Sequence, residues 1–304
     1  MNTKNILITG GTGFLGRALV KQWQERDCLI TVLSRDPPAA MRLLGPKIIA
    51  TGNLRQLPAD ANFDAVVNLA GAPIFGSRWS QARKQLLRDS RIAFTERLLE
   101  YISGLTLKPE VLLSGSAIGV YGNQGEIRLT ENSLGKPDFS QRLCEDWENA
   151  ALKAERMGVR VCLIRTGLVL DSGGGMLSRM LPAFKLGLGG RLGDGRQWMS
   201  WIHRRDWAAI VDDLLNNPSL HGAFNATAPQ AVTNREFSER LAKQLRRPML
   251  MPLPESLLKL LLGEMAELVL GSQRVIPERL LAEGFEFQFS HLESALQQIL
   301  PSHA

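Results

Sequence analysis

The stretch NILITGGTGFLGRALV, residues 5–20, carries glycines at the spacing that lets a backbone wrap around an anion. Gly11, Gly13 and Gly16 satisfy G-x-G-x-x-G, and Gly10, Gly13 and Gly16 satisfy the related G-x-x-G-x-x-G. Such glycines let the chain turn tightly and approach a pyrophosphate, whose charge is met by the N-terminus of the next helix. The context fits, because an apolar β-branched run precedes the loop and Leu15, Leu19 and Trp23 then recur on one helical face. Two more residues could act on protons. Ser116 and Tyr121 lie in SGSAIGVYG, at and just past the end of another apolar run, where sheets of this kind bind ligands. Tyr121 could donate a proton to a carbonyl, or pack at the sheet edge. Ser116 suits hydrogen bonding to a ligand better than nucleophilic attack, because no Ser-His-acid arrangement accompanies it.

These groups need a sheet beneath them, and the first 170 residues supply its pattern. Short apolar runs at 5–9, 29–34, 65–71, 110–116 and 159–167 alternate with helical patterns at about 14–26, 79–103 and 139–157. Near-continuous apolar strands imply a parallel sheet covered on both faces. After Arg165 the texture changes to glycine-rich loops, DSGGGMLSRM and KLGLGGRLGDGRQ, then a helix in WIHRRDWAAIVDDLLNN with Asp206 expected at its N-cap. NATA resumes a strand, and Thr233 followed by Glu236 reads as a capping box. The expected fold class is α/β, a Rossmann-type doubly wound parallel sheet with a smaller C-terminal substrate domain. Residues 1–170 form the dinucleotide domain, completed by 200–230, and 171–304 form the C-terminal part.

The end of the second strand distinguishes the two dinucleotides. An acidic residue there reads a ribose 2′-hydroxyl. LITVLSRD instead places Ser34 and Arg35 at that point, and a guanidinium offers a donor fork suited to a 2′-phosphate. The expected cofactor is therefore NADP ahead of NAD, although a shift of one register would make Asp36 the acidic reader.

Together with NLAG (68–71), these residues resemble the short-chain dehydrogenase/reductase superfamily, in its extended NAD-dependent epimerase/dehydratase branch. SGSAIGVYG resembles the family's serine strand, LIRTGLVL (163–170) its sixth strand, and WIHRRDWA its later Ile-His-x-x-Asp segment. SRIAFTERLLE, DFSQRLCEDWE and GSQRVIPERLLAEGFEFQFSHLESAL are similar to the "epimerase family protein" subgroup across essentially the whole chain. The resemblance implies bound NADP and a small C-terminal substrate domain. It implies cofactor contacts from Thr12, Gly13, Phe14 and Leu15, from Ser34 and Arg35, from Leu69 and Ala70 (Gly71 completing NLAG), and from Arg91. Gly10 and Gly16 complete the loop.

The sequence also departs from the branch. Tyr-x-x-x-Lys, whose lysine lowers the tyrosine pKa for proton exchange, occurs nowhere: Leu105 and Gly125 stand four residues after the chain's two tyrosines, Tyr101 and Tyr121. At the matching place stand Phe139 or Ser140, followed by Leu143 or Cys144, and the helix asparagine of the branch corresponds to Arg91. Two functions stay open: an NADP-dependent oxidoreductase or epimerase acting on a small polar molecule such as a sugar nucleotide, or a catalytically silent NADP-binding sensor or scaffold. Arg179, Arg191 and Arg196, beside the glycine-rich loops, are candidate anion contacts. His203 reads as a core or loop-fixing histidine rather than a general acid.

The remaining features narrow the class. The chain has 304 residues, a net charge of +6 and a pI near 9.5. Its basic residues are dispersed without interleaved stacking aromatics, so a polyanionic small molecule is expected rather than nucleic acid. Cys28, Cys144 and Cys162 form no CxxC pair and no metal-ligand spacing appears, which fits buried thiols in a reducing cytoplasm. The N-terminus lacks a signal-peptide pattern, and the apolar stretch 257–271 is broken by Lys259, Glu264 and Glu267, so no membrane span is expected. A homodimer is compatible with the sequence, which does not fix the oligomeric state.

Overall fold

The computed structural model describes residues 3–301. Seven strands form one sheet: β1 (Asn5–Thr9), β2 (Leu29–Leu33), β3 (Ile48–Thr51), β4 (Ala65–Asn68), β5 (Val111–Ala117), β7 (Arg160–Thr166) and β11 (Gly222–Ala226). Their order is β11-β7-β5-β4-β1-β2-β3, and every pairing is parallel. The chain starts in the middle, runs to one edge through β2 and β3, then returns to place β4 on the other side of β1. The crevice at such a reversal, beyond the strands' carboxyl ends, is where open α/β sheets bind ligands.

Successive side chains of a strand point to opposite faces, and both faces here are apolar. Ile6, Ile8, Val67, Leu113 and Ile164 share a core with Leu19 and Trp23 of α1 (Gly16–Gln24) and with Trp207 and Val211 of a later helix. Leu7, Val66, Leu112, Val161 and Leu163 meet Leu98, Leu99 and Ile102 on the other face. This alternation is the reason the five sequence-visible strands read as continuous apolar runs.

The sequence reading omitted β3 and the helix α2 (Pro37–Leu44). β3 is a short edge strand whose Ile49 is 63% exposed, so its apolar signal is thin. α2 is started by Asp36, whose side chain accepts from the Ala39 N–H at 2.9 Å, with proline at the first helical position. The single helix expected over 79–103 is α3 (Gln81–Arg88), a π-helical turn at Asp89–Ala93 and α4 (Phe94–Gly104). α5 (Phe139–Leu152) follows β5 and is capped by Asp138.

Shorter strands lie around the sheet's carboxyl end. β6 (Arg128–Leu129) pairs with β13 (Arg274–Val275), β8 (Leu168–Asp171) with β10 (Trp201–His203), and β9 (Trp198–Met199) with β12 (Val232–Thr233). Helices α6 (Gly175–Lys185), α8 (Asn234–Gln244) and Leu292–Ile299 enclose a separate core around Trp201, Phe237 and Leu241. The Thr233–Glu236 capping box is present. Asp206 is not the N-cap of α7 (Arg204–Asn216); His203 is, its Nδ1 accepting from the Arg205 N–H at 3.0 Å. Asp206 is buried in the first turn instead, and accepts from the backbone N–H groups of Gln288 and Phe289. The carboxylate expected to cap the helix, three residues past the residue that does, thus fastens the C-terminal segment instead, a demand that local sequence does not display.

Candidate functional site

A cleft of about 1070 Å³ opens over the crevice, and Gly10, Gly13, Phe14, Leu15 and Gly16 form its floor. Gly10 and Gly16 of this loop cannot carry side chains. Gly10 has φ +70°, and a Cβ on it would stand 2.6 Å from the Leu69 carbonyl oxygen. A Cβ on Gly16 would overlap the Gly10 carbonyl and lie 2.6 Å from the Gly11 Cα. The Gly13 N–H closes the turn on the Gly10 carbonyl at 2.9 Å.

A buried relay fixes the neighbouring wall. Thr9 Oγ1 donates to Asn68 Oδ1 at 2.8 Å, Asn68 Nδ2 donates to Thr95 Oγ1 at 2.8 Å, and the Ala70 N–H donates to Thr9 Oγ1 at 3.2 Å. Leu69 and Gly71 face the cleft, and Ala70 between them is held by this relay. Arg91 enters from the π turn, a kind of helix irregularity often found at functional sites. Its Nη2 donates to the Ala72 carbonyl at 3.0 Å, its guanidinium carbon lies 5.3 Å from the Trp147 ring centre, and burial lowers its pKa. Among the described residues no carboxylate lies within ion-pair distance of it.

Thr12, Ser34 and Arg35 stand outside the cleft walls. Ser34 and Arg35 directly follow β2, where Ser34 Oγ donates to the Asp36 carbonyl at 3.1 Å and Arg35 is exposed. Asp36 directs its carboxylate to the start of α2, so that charge is committed to helix capping.

Ser116 lines the deeper cleft, and its hydroxyl donates to Glu148 Oε1 at 2.6 Å. Arg165 clamps the same carboxylate through Nε (2.9 Å) and Nη2 (2.8 Å). Burial alone would lower the Arg165 pKa, but pairing with Glu148 raises it overall. Arg165 Nη1 continues to the Tyr121 hydroxyl and the Glu131 carbonyl, both at 3.0 Å. Tyr121 donates to Asn225 Oδ1 at 2.6 Å, and Asn225 Nδ2 donates to the Ile276 carbonyl at 2.9 Å.

Tyr121 is therefore not placed as a proton donor to a ligand. It is fully buried, lies outside the cleft lining, and has its hydroxyl pushed up to about 12 by burial. Glu148, Arg165 and Asn225 are not among the candidate site residues that the sequence suggests. Only the position of Glu148, one helical turn after Cys144 on α5, pointed to the first of them. Ser140, Leu143 and Cys144 do line the cleft, whereas burial pushes the Cys144 thiol up to about 12, away from thiolate reactivity.

Arg179, Arg191 and Arg196 do not line the cleft; Arg179 lies over the Phe75 ring and Arg196 is exposed. His203 is buried, stacked on Phe289 with ring centres 3.9 Å apart, and its Nε2 lies 2.7 Å from Gln298 Oε1. Among the described residues no group of three His, Cys, Asp or Glu is arranged to hold a metal ion, and no helix is long and apolar enough to cross a membrane.

This geometry has close parallels. An Arabidopsis thaliana "Epimerase family protein SDR39U1 homolog, chloroplastic" is 39% identical over 97% of this chain and 86% of its own length. "Epimerase family protein SH2119" of Staphylococcus haemolyticus is 38% identical over 98% and 99%. The crystal structure of human epimerase family protein SDR39U1 (isoform2) with NADPH superimposes with a TM-score of 0.88 at 33% identity, covering 98% of this chain and 99% of that one. Residues 253–299 match a domain of unknown function (DUF1731). With residues 6–226 matching its family model, the chain belongs to the NAD dependent epimerase/dehydratase family.

Proposed function

We propose that the protein is an NADP(H)-dependent oxidoreductase or epimerase-like enzyme acting on a small molecule held at Ser116. One observation carries the reading: a single cleft runs from the glycine loop past Arg91 to Ser116. The residues fit the dinucleotide. Gly10 and Gly16 keep the loop's backbone tight under the cleft where a Cβ would collide with it, Arg91 offers a half-buried cation with no carboxylate within ion-pair distance among the described residues, and Asp36 is turned away from the place of an acidic ribose reader. The glycine loop and the start of α1 would bind the pyrophosphate, and Ser34 with Arg35 the 2′-phosphate. When bound, the nicotinamide supplies hydride exchange. Trp147, Thr166 and Leu168 wall the cleft near Ser116 and help exclude water there. The human relative's NADPH supports the choice of cofactor, and three free cysteines support a cytoplasmic setting.

A second reading, a silent NADP(H)-binding sensor, is favoured by the absence of Tyr-x-x-x-Lys from the chain, with Phe139 or Ser140, followed by Leu143 or Cys144, at the place that resemblance gives the pair. Cofactor fluorescence titrations test what both readings share. NADPH should bind more tightly than NADH, and Arg35→Ala should weaken NADPH roughly ten- to a hundredfold, the worth of a charge-assisted hydrogen bond, with little effect on NADH. Equal losses for the two cofactors would remove the assignment. NADPH oxidation with a panel of carbonyl compounds then separates enzyme from sensor.

A further inference from the structure

The outer part of the cleft, walled by residues 136–144, 193–200 and 255–273, presents a chemistry that its sequence hides. It contains many polar side chains, yet most are spent on the protein. Asp138 Oδ1 accepts from the Gln141 N–H at 2.7 Å. Ser200 Oγ donates to the Gln273 carbonyl and accepts from the Val275 N–H, both at 2.8 Å. Gln273 Nε2 donates to the carbonyls of Ile118 (3.1 Å) and Gly122 (3.2 Å). Gln197 Nε2 donates to those of Leu192 (3.1 Å) and Val269 (3.0 Å). These bonds build the wall and leave little for a ligand.

Apolar surface remains. Ile74, Phe75, Leu143, Met176, Leu268 and Leu270 face the cleft. Ile74, Phe75 and Leu268 pack on Trp79, Leu87, Leu143 and Met265 as one hydrophobic cluster, so this wall is fixed from behind. The charges at this end are two lysines, Lys136 and Lys259, against four carboxylates, Asp138, Asp194, Glu255 and Glu267. Lys259 is itself paired with Glu255 at 2.6 Å. With Arg179, Arg191 and Arg196 outside the lining, a second diphosphate would meet an acidic lip. At the inner end, Ser116 has given its only proton to Glu148 and offers a ligand lone pairs alone.

We propose that the outer cleft takes a hydrocarbon-rich small molecule bearing a hydroxyl that donates to Ser116, and not a nucleotide sugar. The inference rests on the NADP(H) reading for the inner cleft and deepens it by naming the substrate class. Purified protein is first titrated with NADPH. Calorimetric titrations with a 2-alkanol series from butan-2-ol to decan-2-ol, and with UDP-glucose, then follow on both NADPH-loaded and unliganded protein. NADPH with an alcohol is a dead-end pair, so the readout is binding alone. Affinity for the alkanols should rise roughly three- to fourfold per methylene, from the burial of each CH₂, and UDP-glucose should give no saturable heat. Leu270→Asn should flatten the slope. An alkanol series independent of chain length, or saturable UDP-glucose binding, overturns the inference. Failure of the NADPH titration instead removes the cofactor reading, while the alkanol slope on unliganded protein still tests the wall.

Discussion

Glu148 is the residue whose loss should be felt most widely. Its side chain is 8% exposed, and that of its partner Arg165 is 12% exposed. Three hydrogen bonds end on its carboxylate, two from Arg165 and one from Ser116. In Glu148→Ala, Arg165 keeps the Tyr121 hydroxyl and the Glu131 carbonyl on Nη1 but loses its only ion-pair partner among the described residues. A buried cation stranded in this way costs about 3–5 kcal/mol, against a total stability of about 5–15 kcal/mol for a typical domain. Urea unfolding followed by circular dichroism and tryptophan fluorescence measures the change. Removing the guanidinium as well, in Glu148→Leu/Arg165→Met, should recover at least about 2 kcal/mol of the single-variant loss, because apolar groups of similar volume can replace a buried pair. A Glu148→Ala loss below about 1 kcal/mol, or strictly additive single and double variants, would refute the clamp as a buried, mutually dependent unit.

Two other perturbations test separate parts of the structure. Gly16→Ala should abolish NADPH binding in a fluorescence titration, because the new Cβ would meet the backbone of Gly10 and Gly11, which cannot rotate away; retained affinity would contradict the loop geometry. Burial holds the His203 pKa below its ordinary value, so as pH falls through the unfolded value near ~6.5 the unfolded chain takes up the proton first and stability drops. His203→Gln should therefore flatten the decline of Tm between about pH 7.5 and 5 relative to the parent protein, and an unchanged slope would assign that decline elsewhere. Asp206, its carboxyl raised by burial, acts with the opposite sign at lower pH and is common to both proteins, so the comparison isolates the histidine.

How much of this was legible in the sequence depended on the distance over which each requirement acts. The glycine loop was visible because its demand is local: a tight turn, a close carbonyl and a following helix fix residue types within seven positions, 10 to 16. The buried strands were visible for the same reason, whereas the half-exposed edge strand β3 carried too little apolar pattern. The clamp was invisible. Glu148 and Arg165 are 17 residues apart, Arg165 and Tyr121 44, and Tyr121 and Asn225 104, so only the folded sheet brings them together. Tyr121 illustrates the consequence. Its place after a strand end suggested chemistry, while its hydroxyl is held from two sides by partners that no local motif announces.

The missing tyrosine–lysine pair now has a physical replacement. In the α5 residues that resemblance sets in its place, Phe139 packs edge-on against Trp79 with ring centres 4.9 Å apart, and Leu143 joins the same apolar cluster. In the adjacent register Ser140 and Cys144 close against Gly119, whose lack of a Cβ leaves them room. Either alignment turns the first two turns of the helix from a proton-handling surface into a packed wall. The polar function moves one turn further along, to Glu148, where a carboxylate locked by Arg165 orients Ser116. The carboxylate oxygens of Glu148 are already engaged by Arg165 and Ser116. Glu148 thus fixes which way the serine hydroxyl points, and the proton of a bound alcohol would have to leave by another route, through water or a group of the substrate itself. Of these α5 residues, Leu143 adds hydrocarbon to a cleft wall that Ile74, Phe75, Met176, Leu268 and Leu270 supply from other elements.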